Sequence, residues 1–237
     1  MANPYFSFKQ FTVHQHLCAM KVGIDGVLLG CWANVDNTQH ILDIGTGTGL
    51  IALMLAQRSN ASIDAIDIDE DAVIQAAGNI KNSPWPDRIN VQYLSLQNLA
   101  ETAGKEYDLI VSNPPYFVNS LKSPDLKRQI ARHTDMLTHE EIILAAKKLL
   151  APTGRLCLVL PVFEGLMCML SAKKNELYCT KAIKVLPTPD SLPKRVLLEF
   201  SKEYSECSES DLTIENGKRH QYSPEFAELA KDFYLKL

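Results

Sequence analysis

The chain has 237 residues, of which 46% are apolar and 22% carry a charged side chain. This length and composition exclude a disordered or fibrous chain and predict one globular domain with a sizeable core. The formal net charge of −4 gives no support to wholesale polyanion binding, because nucleic-acid-binding proteins usually present a basic face. A surface for RNA or DNA would therefore have to be local.

The cysteines and the first residues indicate the compartment. Six widely spaced cysteines include no Cys-x-x-Cys pair and no Cys/His cluster at metal-ligand spacing, so we predict buried, reduced thiols and no metal site. The start of the chain lacks a basic segment followed by an apolar one, and no apolar run reaches the roughly 18 residues of a membrane span. We expect a soluble, cytoplasmic monomer without a membrane segment.

The first predicted elements lie ahead of residue 33. Alternating side chains in residues 6–13 predict a short strand or hairpin arm. Two glycines, Gly23 and Gly26, then allow two interpretations. They form a turn that caps a helix over residues 27–32, or they form a lid over a ligand, with Lys21 and Asp25 as its polar groups.

The next stretch is an apolar run over residues 41–44, followed by Gly45, Gly47 and Gly49 and by the apolar residues 50–55. This pattern predicts a buried strand, a tight turn and a helix. Glycines at such a turn let the backbone approach a ligand closely, and the helix that follows begins with unpaired N–H groups. The turn is therefore predicted to hold a small molecule.

A second apolar strand, residues 62–67, ends in Asp67. A carboxylate at the end of the strand beside the first one can reach the diol of a ribose. The acidic residues 69–71 that follow predict a helix N-terminus, where carboxylates cap free amides. We therefore assign the ribose role to Asp67 alone.

Strands and helices alternate through the rest of the chain, which predicts an α/β fold with seven strands in total. Thr138 and Glu141 form a predicted capping box, and the charge-rich residues 201–211 are predicted to be a linker or loop. The remaining predicted strands are residues 89–94, 107–111, 155–160, 180–186 and 194–200, and the remaining helices are residues 138–150, 162–174 and 223–234.

The strand over residues 107–111 runs into a proline-stiffened corner that contains Asn113, Pro114, Tyr116 and Phe117. Open α/β sheets bind ligands at such strand ends. The Asn113 side-chain oxygen and the Pro114 carbonyl can accept the two hydrogens of a planar amine, so that its lone pair points at an electrophile. Tyr116 or Phe117 can stack on the flat group. This corner suits an in-line methyl transfer that requires mainly positioning.

A polar and basic segment, residues 118–135, follows the corner. A long irregular segment beside a site is more often functional than filler. We predict that it contacts an RNA substrate together with basic residues near the seventh strand and the C-terminus. The candidates are Lys122, Lys127, Arg128, Arg132, His133, Lys194, Arg195, Lys218 and Arg219.

The order of residues 43–49, Asp67 and residues 113–116 resembles a class I S-adenosylmethionine-dependent amino-methyltransferase. Further motifs narrow the resemblance to a bacterial family. That family methylates the exocyclic N6 amine of an adenine in the anticodon loop of a valine tRNA, next to the anticodon on its 3′ side. The narrowing motifs are residues 21–30, 131–133 and 230–236.

The resemblance implies a Rossmann-like fold with a seven-stranded, mostly parallel sheet, one antiparallel strand and helices on both faces. It implies a single domain, residues 1–237. Its parts are an N-terminal strand and lid extension (1–40), a cofactor-binding core (41–200), and a C-terminal loop with a closing helix (201–237).

The resemblance also implies roles for single residues. Asn113, Pro114 and Tyr116 would be catalytic. Residues 21–25 would border the methionine moiety of S-adenosylmethionine, the glycine turn its carboxypropyl end, Asp67 its ribose and the region of Ser95 its adenine. The implied cofactor-binding residues are Lys21, Gly23, Asp25, Asp43, Gly45, Gly47, Gly49, Asp67, Ile68, Ser95, Leu96 and Asn113.

Two departures from the family pattern are visible. Ile24 replaces an expected threonine, and Ser95-Leu96-Gln97 replaces the acidic residue that many methyltransferases place at the cofactor adenine.

Other activities remain as alternatives. A protein glutamine methyltransferase uses the same corner, but it carries a helical domain ahead of the glycine turn. An rRNA base methyltransferase keeps the fold. A DNA adenine methyltransferase usually needs an added recognition domain. An NAD-linked dehydrogenase has wider final glycine spacing and gives no reason for the corner, and a non-catalytic RNA-binding protein would not need Asn113.

Overall fold

The computed structural model describes residues 3–18, 20–102, 104–115, 137–218 and 221–236. The strands of this part of the chain are β1 (Tyr5–Ser7), β2 (Thr12–His14), β3 (His40–Ile44), β4 (Ser62–Asp67), β5 (Ile89–Tyr93), β6 (Tyr107–Ser112), β7 (Leu150–Pro161), β8 (Tyr178–Leu186), β9 (Arg195–Ser201) and β10 (Ser208–Thr213). The helices are α1 (Ile24–Trp32), α2 (Leu50–Arg58), α3 (Glu70–Lys81), α4 (Leu96–Thr102), α5 (His139–Leu149), α6 (Val162–Lys174) and α7 (Pro224–Ala230).

Eight strands form one sheet in the order β10-β8-β9-β7-β6-β3-β4-β5, and β1 pairs with β2 in a separate antiparallel hairpin. Only β9 runs against its neighbours in the large sheet, because it pairs antiparallel with both β7 and β8. The chain reverses its direction of travel across the sheet after β5, so β3 and β6 are adjacent. Ligands bind at such a switch point in open α/β sheets.

Helices cover both faces of the sheet, as predicted. On one face α1, α2, α3 and α7 contribute side chains to a buried cluster, and on the other face α4, α5 and α6 contribute to a second one. The central strands β3 and β6 contribute apolar side chains to both clusters, as expected for strands buried between two layers of helices.

Local signals in the sequence set several helix ends. The capping box predicted at Thr138 is present: its hydroxyl accepts from the Glu141 amide at 3.2 Å, and the Glu141 carboxylate accepts from the Thr138 amide at 2.8 Å. Ser223 caps α7 by accepting from the Phe226 amide at 3.0 Å, and Pro224 occupies the first turn. These side chains satisfy amides that have no partner within the helix.

The structure corrects the prediction at several places. Helix α7 ends at Ala230 instead of residue 234, and β7 begins at Leu150 instead of residue 155. Residues 201–211 are not only a linker, because they lead into β10, an eighth strand at the sheet edge. Most side chains of β10 are exposed, so the strand has too little apolar alternation to be recognised. Helix α4, which was not predicted, buries only Leu96. Helix α1 begins at Ile24 instead of residue 27, and Gly26 lies inside it.

Two observations concern the described residues alone. Within those ranges, none of the helices combines the length and the apolar character that a membrane crossing requires. The same part of the chain contains no group of three or more His, Cys, Asp or Glu side chains arranged to hold a metal ion.

Candidate active site

The carboxyl ends of β3, β4 and β6 open into a cavity of about 450 Å³, a volume in the range of small-molecule sites. It contains many of the predicted residues and several that were not predicted. The predicted residues at its wall are Lys21, Gly23, Asp25, Gly45, Gly47, Asp67, Ile68, Leu96, Asn113 and Pro114. Further residues at the wall are Cys18, Gly26, Thr46, Thr48, Leu94, Gln97, Ser112, Pro115 and Leu137.

The pairing of β3 with β6 places the proline corner beside the glycine turn. Ile44, the last residue of β3, lies opposite Ser112, the last residue of β6. The buried Ser112 hydroxyl donates to the Ile44 carbonyl at 2.9 Å. Asn113 and Gly45, the next residues of the two strands, therefore start from neighbouring positions and both line the cavity.

The glycine turn needs its glycines for two different reasons. Gly45 and Gly47 have φ of +68° and +54°, and a side chain at either would meet no protein atom within 4 Å, because both face open space. Gly49 has φ of +80°, but a Cβ there would lie 3.3 Å from the Ala76 Cβ in α3. Gly49 is therefore a packing residue at the start of α2 and, unlike the other two, does not line the cavity.

The amides of the turn form hydrogen bonds within the protein. Those of Gly45 and Thr46 donate to the Ile66 carbonyl at 2.9 and 3.0 Å, and that of Gly47 donates to Asp67 at 2.8 Å. These bonds fix the backbone of the turn, and the open space beside Gly45 and Gly47 lets a ligand approach that backbone closely.

Asp43 is fully buried and does not line the cavity. Its carboxylate accepts from the Thr46 hydroxyl at 2.7 Å, so it braces the turn from beneath. Burial raises the pKa of Asp43 to about 7, and the Thr46 hydroxyl and the Ala52 amide oppose that rise. The prediction that Asp43 is a cofactor-binding residue is replaced by this supporting role.

Asp67 ends β4 at the cavity wall, half-buried. One carboxylate oxygen accepts from the Gly47 amide at 2.8 Å, and the other accepts from the Asp69 amide at 3.0 Å. These bonds fix the plane of the carboxylate. Each carboxylate oxygen has a second lone pair, so the group can still accept from a ligand hydroxyl.

The segment ahead of α1 forms one wall of the cavity. Lys21, Gly23 and Asp25 line it, and Gly23 is also the N-cap residue of α1. The prediction of a turn that caps a helix is thus confirmed, with the helix start moved three residues earlier, and the lid interpretation stays a prediction. Gly26 packs against α2, where a Cβ would lie 3.1 Å from the Leu50 Cδ2.

Arg195, predicted to contact the substrate, is paired with the wall of the cavity. Its Nε donates to the Asp25 Oδ2 at 2.8 Å, across 170 residues of sequence. The pair joins the start of β9 to the first turn of α1. Lys194 is exposed beside it, and neither basic residue lines the cavity.

The end of β5 differs from the prediction. Ser95 caps α4, because its hydroxyl accepts from the Asn98 amide at 3.2 Å, and it does not line the cavity. Leu96 and Gln97 line it instead, and the Gln97 side-chain Nε2 donates to the Glu141 carboxylate at 2.8 Å. The unpredicted helix α4 is the reason, since a cap residue turns its side chain back to the helix.

Sequence reasoning missed Cys18, a buried thiol at the cavity wall. Burial, followed by the nearby carboxylates of Asp67, Asp69 and Asp71, raises its pKa to about 11. Cys18 is therefore protonated near neutral pH and is a poor nucleophile. No motif surrounds it, so only the fold reveals its position. Thr46 and Thr48, by contrast, were signalled by their places within the glycine turn.

Part of the predicted site lies outside the described residues. The structure describes the corner as far as Pro115, and Asn113, Pro114 and Pro115 line the cavity. The predicted residues beyond it are Tyr116, Phe117, Lys122, Lys127, Arg128, Arg132, His133 and Arg219, and all of them lie outside the described ranges.

The cavity lining fits the chemistry of S-adenosylmethionine. Gly45 and Gly47 leave open space beside their backbone, and a carboxylate such as that of Asp67 suits a ribose diol. Ile68, Leu94 and Leu96 offer apolar surface for a flat base.

Comparison with known proteins gives the family. The model of the methyltransferase small domain family matches residues 25–182. Two proteins named tRNA1(Val) (adenine(37)-N6)-methyltransferase match the chain along its full length. One, from Parabacteroides distasonis, is 53% identical, and one, from Phocaeicola vulgatus, is 51% identical, each over 238 residues that cover 100% of both chains.

Solved structures show the same fold. A predicted O-methyltransferase from Agrobacterium tumefaciens superposes with a TM-score of 0.70 at 16% identity and covers 88% of this chain and 96% of its own. The Thermus thermophilus 16S rRNA N2 G1207 methyltransferase, solved with AdoMet and guanosine, superposes with a TM-score of 0.56 at 18% identity, over 84% of this chain and 50% of its own.

These matches confirm the resemblance seen in the sequence. The chain belongs to the methyltransferase small domain family and, within it, to the family of the tRNA1(Val) (adenine(37)-N6)-methyltransferases, and it is an S-adenosylmethionine-dependent methyltransferase.

Proposed function

We propose that this protein methylates the N6 amine of adenine 37, the 3′ neighbour of the anticodon, in tRNA1(Val). The full-length identity of about 50% to relatives that bear this activity in their names supports the substrate. The observation that carries the chemistry is the placement of Asn113 and Pro114 in one cavity with the glycine turn and Asp67. We do not propose the glutamine or rRNA alternatives, because the relatives matched end to end are named for the tRNA activity.

The corner would position the amine. The Asn113 side-chain oxygen and the Pro114 carbonyl would accept its two hydrogens and turn the nitrogen lone pair away from the ring. The adenine must leave its stack to reach the cavity, and we assign its stacking partners to Tyr116 and Phe117. Bound S-adenosylmethionine supplies an electrophilic methyl group.

We assign the cofactor to the cavity wall. Gly45 and Gly47 would admit the amino-acid end of the cofactor, Asp67 would accept from its ribose hydroxyls, and Ile68 and Leu96 would flank its adenine. The Asp25 and Arg195 pair would hold α1 in place beside the methionine moiety. Arg195 is thus proposed as a positioning residue.

The tRNA would bind through local basic side chains, since the net charge of −4 does not favour a polyanion. Lys194 is exposed at the carboxyl-end edge of the sheet, where the cavity opens. We propose that it acts with the basic side chains of residues 118–135. A tRNA substrate would place the protein in the cytoplasm, where we expect it to act as a monomer.

The test combines one variant with one substrate change. The Asn113→Ala variant should lose methyl transfer to tRNA1(Val) by at least about 100-fold, because one pre-positioned polar group typically contributes that much. Cofactor binding, measured by calorimetry, should stay within a few-fold of wild type. Nucleoside mass spectrometry would detect N6-methyladenosine.

Two controls make the result specific. Asn90→Ala changes an exposed asparagine near the start of β5, whereas the cavity lies at the carboxyl ends of the strands. This variant should transfer methyl groups at the wild-type rate. A tRNA with guanine at position 37 should accept none. Wild-type turnover by the Asn113→Ala variant, or methylation of the guanine-37 tRNA, would contradict the proposal.

A further inference from the structure

Two cysteine thiols touch at the outer edge of the sheet. The sulfurs of Cys179 and Cys207 are 3.5 Å apart, although 28 residues separate them in sequence. Cys179 lies in β8, and Cys207 directly precedes β10, the edge strand. The other cysteines, Cys18, Cys31, Cys157 and Cys168, are buried, whereas these two are both partly accessible.

Contacts on both sides hold the two thiols together. After Cys207 the chain enters the parallel pairing of β10 with β8, in which Ser208 lies opposite Lys181. Before it, the ring of Tyr204 packs edge-on against that of Tyr178, with centroids 5.4 Å apart. To form a disulfide, the two sulfurs need to move only from 3.5 Å apart to the bonding distance of about 2.05 Å.

We propose that Cys179 and Cys207 form a redox modification site that reacts with small disulfides such as oxidised glutathione and closes into an intramolecular disulfide. The Cys207 thiolate attacks the small disulfide first, forms a mixed disulfide and releases one small thiol. Cys179 then attacks the Cys207 sulfur and releases the second small thiol. Two protein thiols are oxidised, one small disulfide is reduced to two thiols, and the two protons pass to the thiols released.

The order of attack follows from the surroundings. Burial raises the pKa of Cys179, and the neighbouring Cys207 adds to that effect. A thiol with a raised pKa holds less thiolate and reacts slowly with a reagent from solution. Once Cys207 carries the mixed disulfide, Cys179 has its target sulfur in contact, so proximity compensates for its low thiolate fraction.

The disulfide would anchor the edge strand. It would join β8 to the chain just before β10 and close a loop that contains β9. Closing a loop of about 30 residues stabilises mainly by restricting the unfolded chain, and for a protein of this size we expect the Tm to rise by roughly 5–10 °C. The pair lies at the opposite end of the strand order from β4 and is not part of the cavity, so this inference does not depend on the proposed function.

The full-length protein is incubated with excess oxidised glutathione, and its remaining thiols are then blocked. It is digested with trypsin without reductant, so that disulfides stay intact. We expect two of the six thiols to disappear and the peptides over residues 175–181 and 203–218 to appear cross-linked. Cys168→Ala, which removes a buried thiol, should leave the cross-link intact. The Cys179→Ser variant should trap glutathione on Cys207, and the Cys207→Ser variant should trap none on Cys179.

Each outcome decides the proposal. The cross-linked peptide together with a raised Tm supports it. A protein that retains all six thiols, a loss of two thiols that persists in Cys207→Ser, or a disulfide to Cys168 would overturn it. Because methyl transfer is measured separately, a failure here leaves the proposed function untouched.

Discussion

Replacing Asp67 should weaken cofactor binding directly, by an amount larger than any loss of folding stability would cause. The carboxylate accepts from the Gly47 amide at 2.8 Å and from the Asp69 amide at 3.0 Å, which fixes its plane at the cavity wall. A hydrogen bond to a charged group contributes about 1.5–3 kcal/mol. Loss of two bonds to a ribose diol, partly replaced by water, should cost about 3 kcal/mol, or roughly 100-fold in Kd.

The structure supplies graded variants. The Asp67→Ala variant removes both acceptors and frees the Gly47 amide of the glycine turn, so it should show the full loss. Asp67→Asn keeps one carbonyl oxygen and should lose roughly 10-fold. Asp69→Ala is the comparison variant: Asp69 also lines the cavity, but its carboxylate caps α3 by accepting a 3.0 Å bond from the Asp71 amide. It should lower the free energy of unfolding by about 1 kcal/mol and leave Kd within about threefold of wild type.

Calorimetric titration of S-adenosylmethionine into each variant measures Kd directly, and urea unfolding shows that the variants are folded. The reasoning fails if folded Asp67→Ala binds the cofactor within threefold of wild type. It also fails if Asp69→Ala loses as much affinity as Asp67→Ala, because the effect would then come from the loop as a whole.

Three further predictions test the packing, the buried charge and the RNA surface. Gly165→Ala should lower the free energy of unfolding, measured in urea, by about 1–3 kcal/mol, because the new Cβ would overlap the Val196 side chain. Gly78→Ala faces open space and should raise that free energy by up to about 1 kcal/mol. Equal stabilities of the two variants would refute this. The pKa of Asp43 is about 7 against an ordinary 3.8, so the unfolded chain loses this proton first and stability falls as pH rises from about 4 to 7. The stability advantage of wild type over Asp43→Asn should accordingly drop by about 2–3 kcal/mol between pH 5 and pH 8, and a constant difference would disprove it. Lys194→Glu should weaken tRNA binding and flatten its salt dependence by about one unit of slope. Lys148→Glu should change neither, because Lys148 is exposed in the last turn of α5, near the start of β7 and away from the carboxyl ends of the strands.

Local patterns were sufficient for most elements. The apolar run before Gly45 and the periodic apolar residues after Gly49 predict a strand, a turn and a helix, because backbone geometry depends on neighbours in sequence. The bounds of α6 match the prediction, and the capping box at Thr138 formed as expected. The family motifs then identified the chemistry, since they name residue types that the reaction requires.

Other features were beyond such reasoning because they depend on contacts distant in sequence. The bond between Arg195 and Asp25 spans 170 residues, and strand β10 exists because the edge of β8 was available to pair with it.

The sequence by itself determined the order of the central strands and most helices, the glycine turn and the corner at Asn113, because each depends on a few adjacent residues. Only the tertiary structure decided which of those side chains reach the cavity. Asp43 is buried beneath the turn, Ser95 caps a helix, and Gln97 takes its place at the wall. The physical reason is that a side chain's direction depends on how its element packs against the rest of the fold.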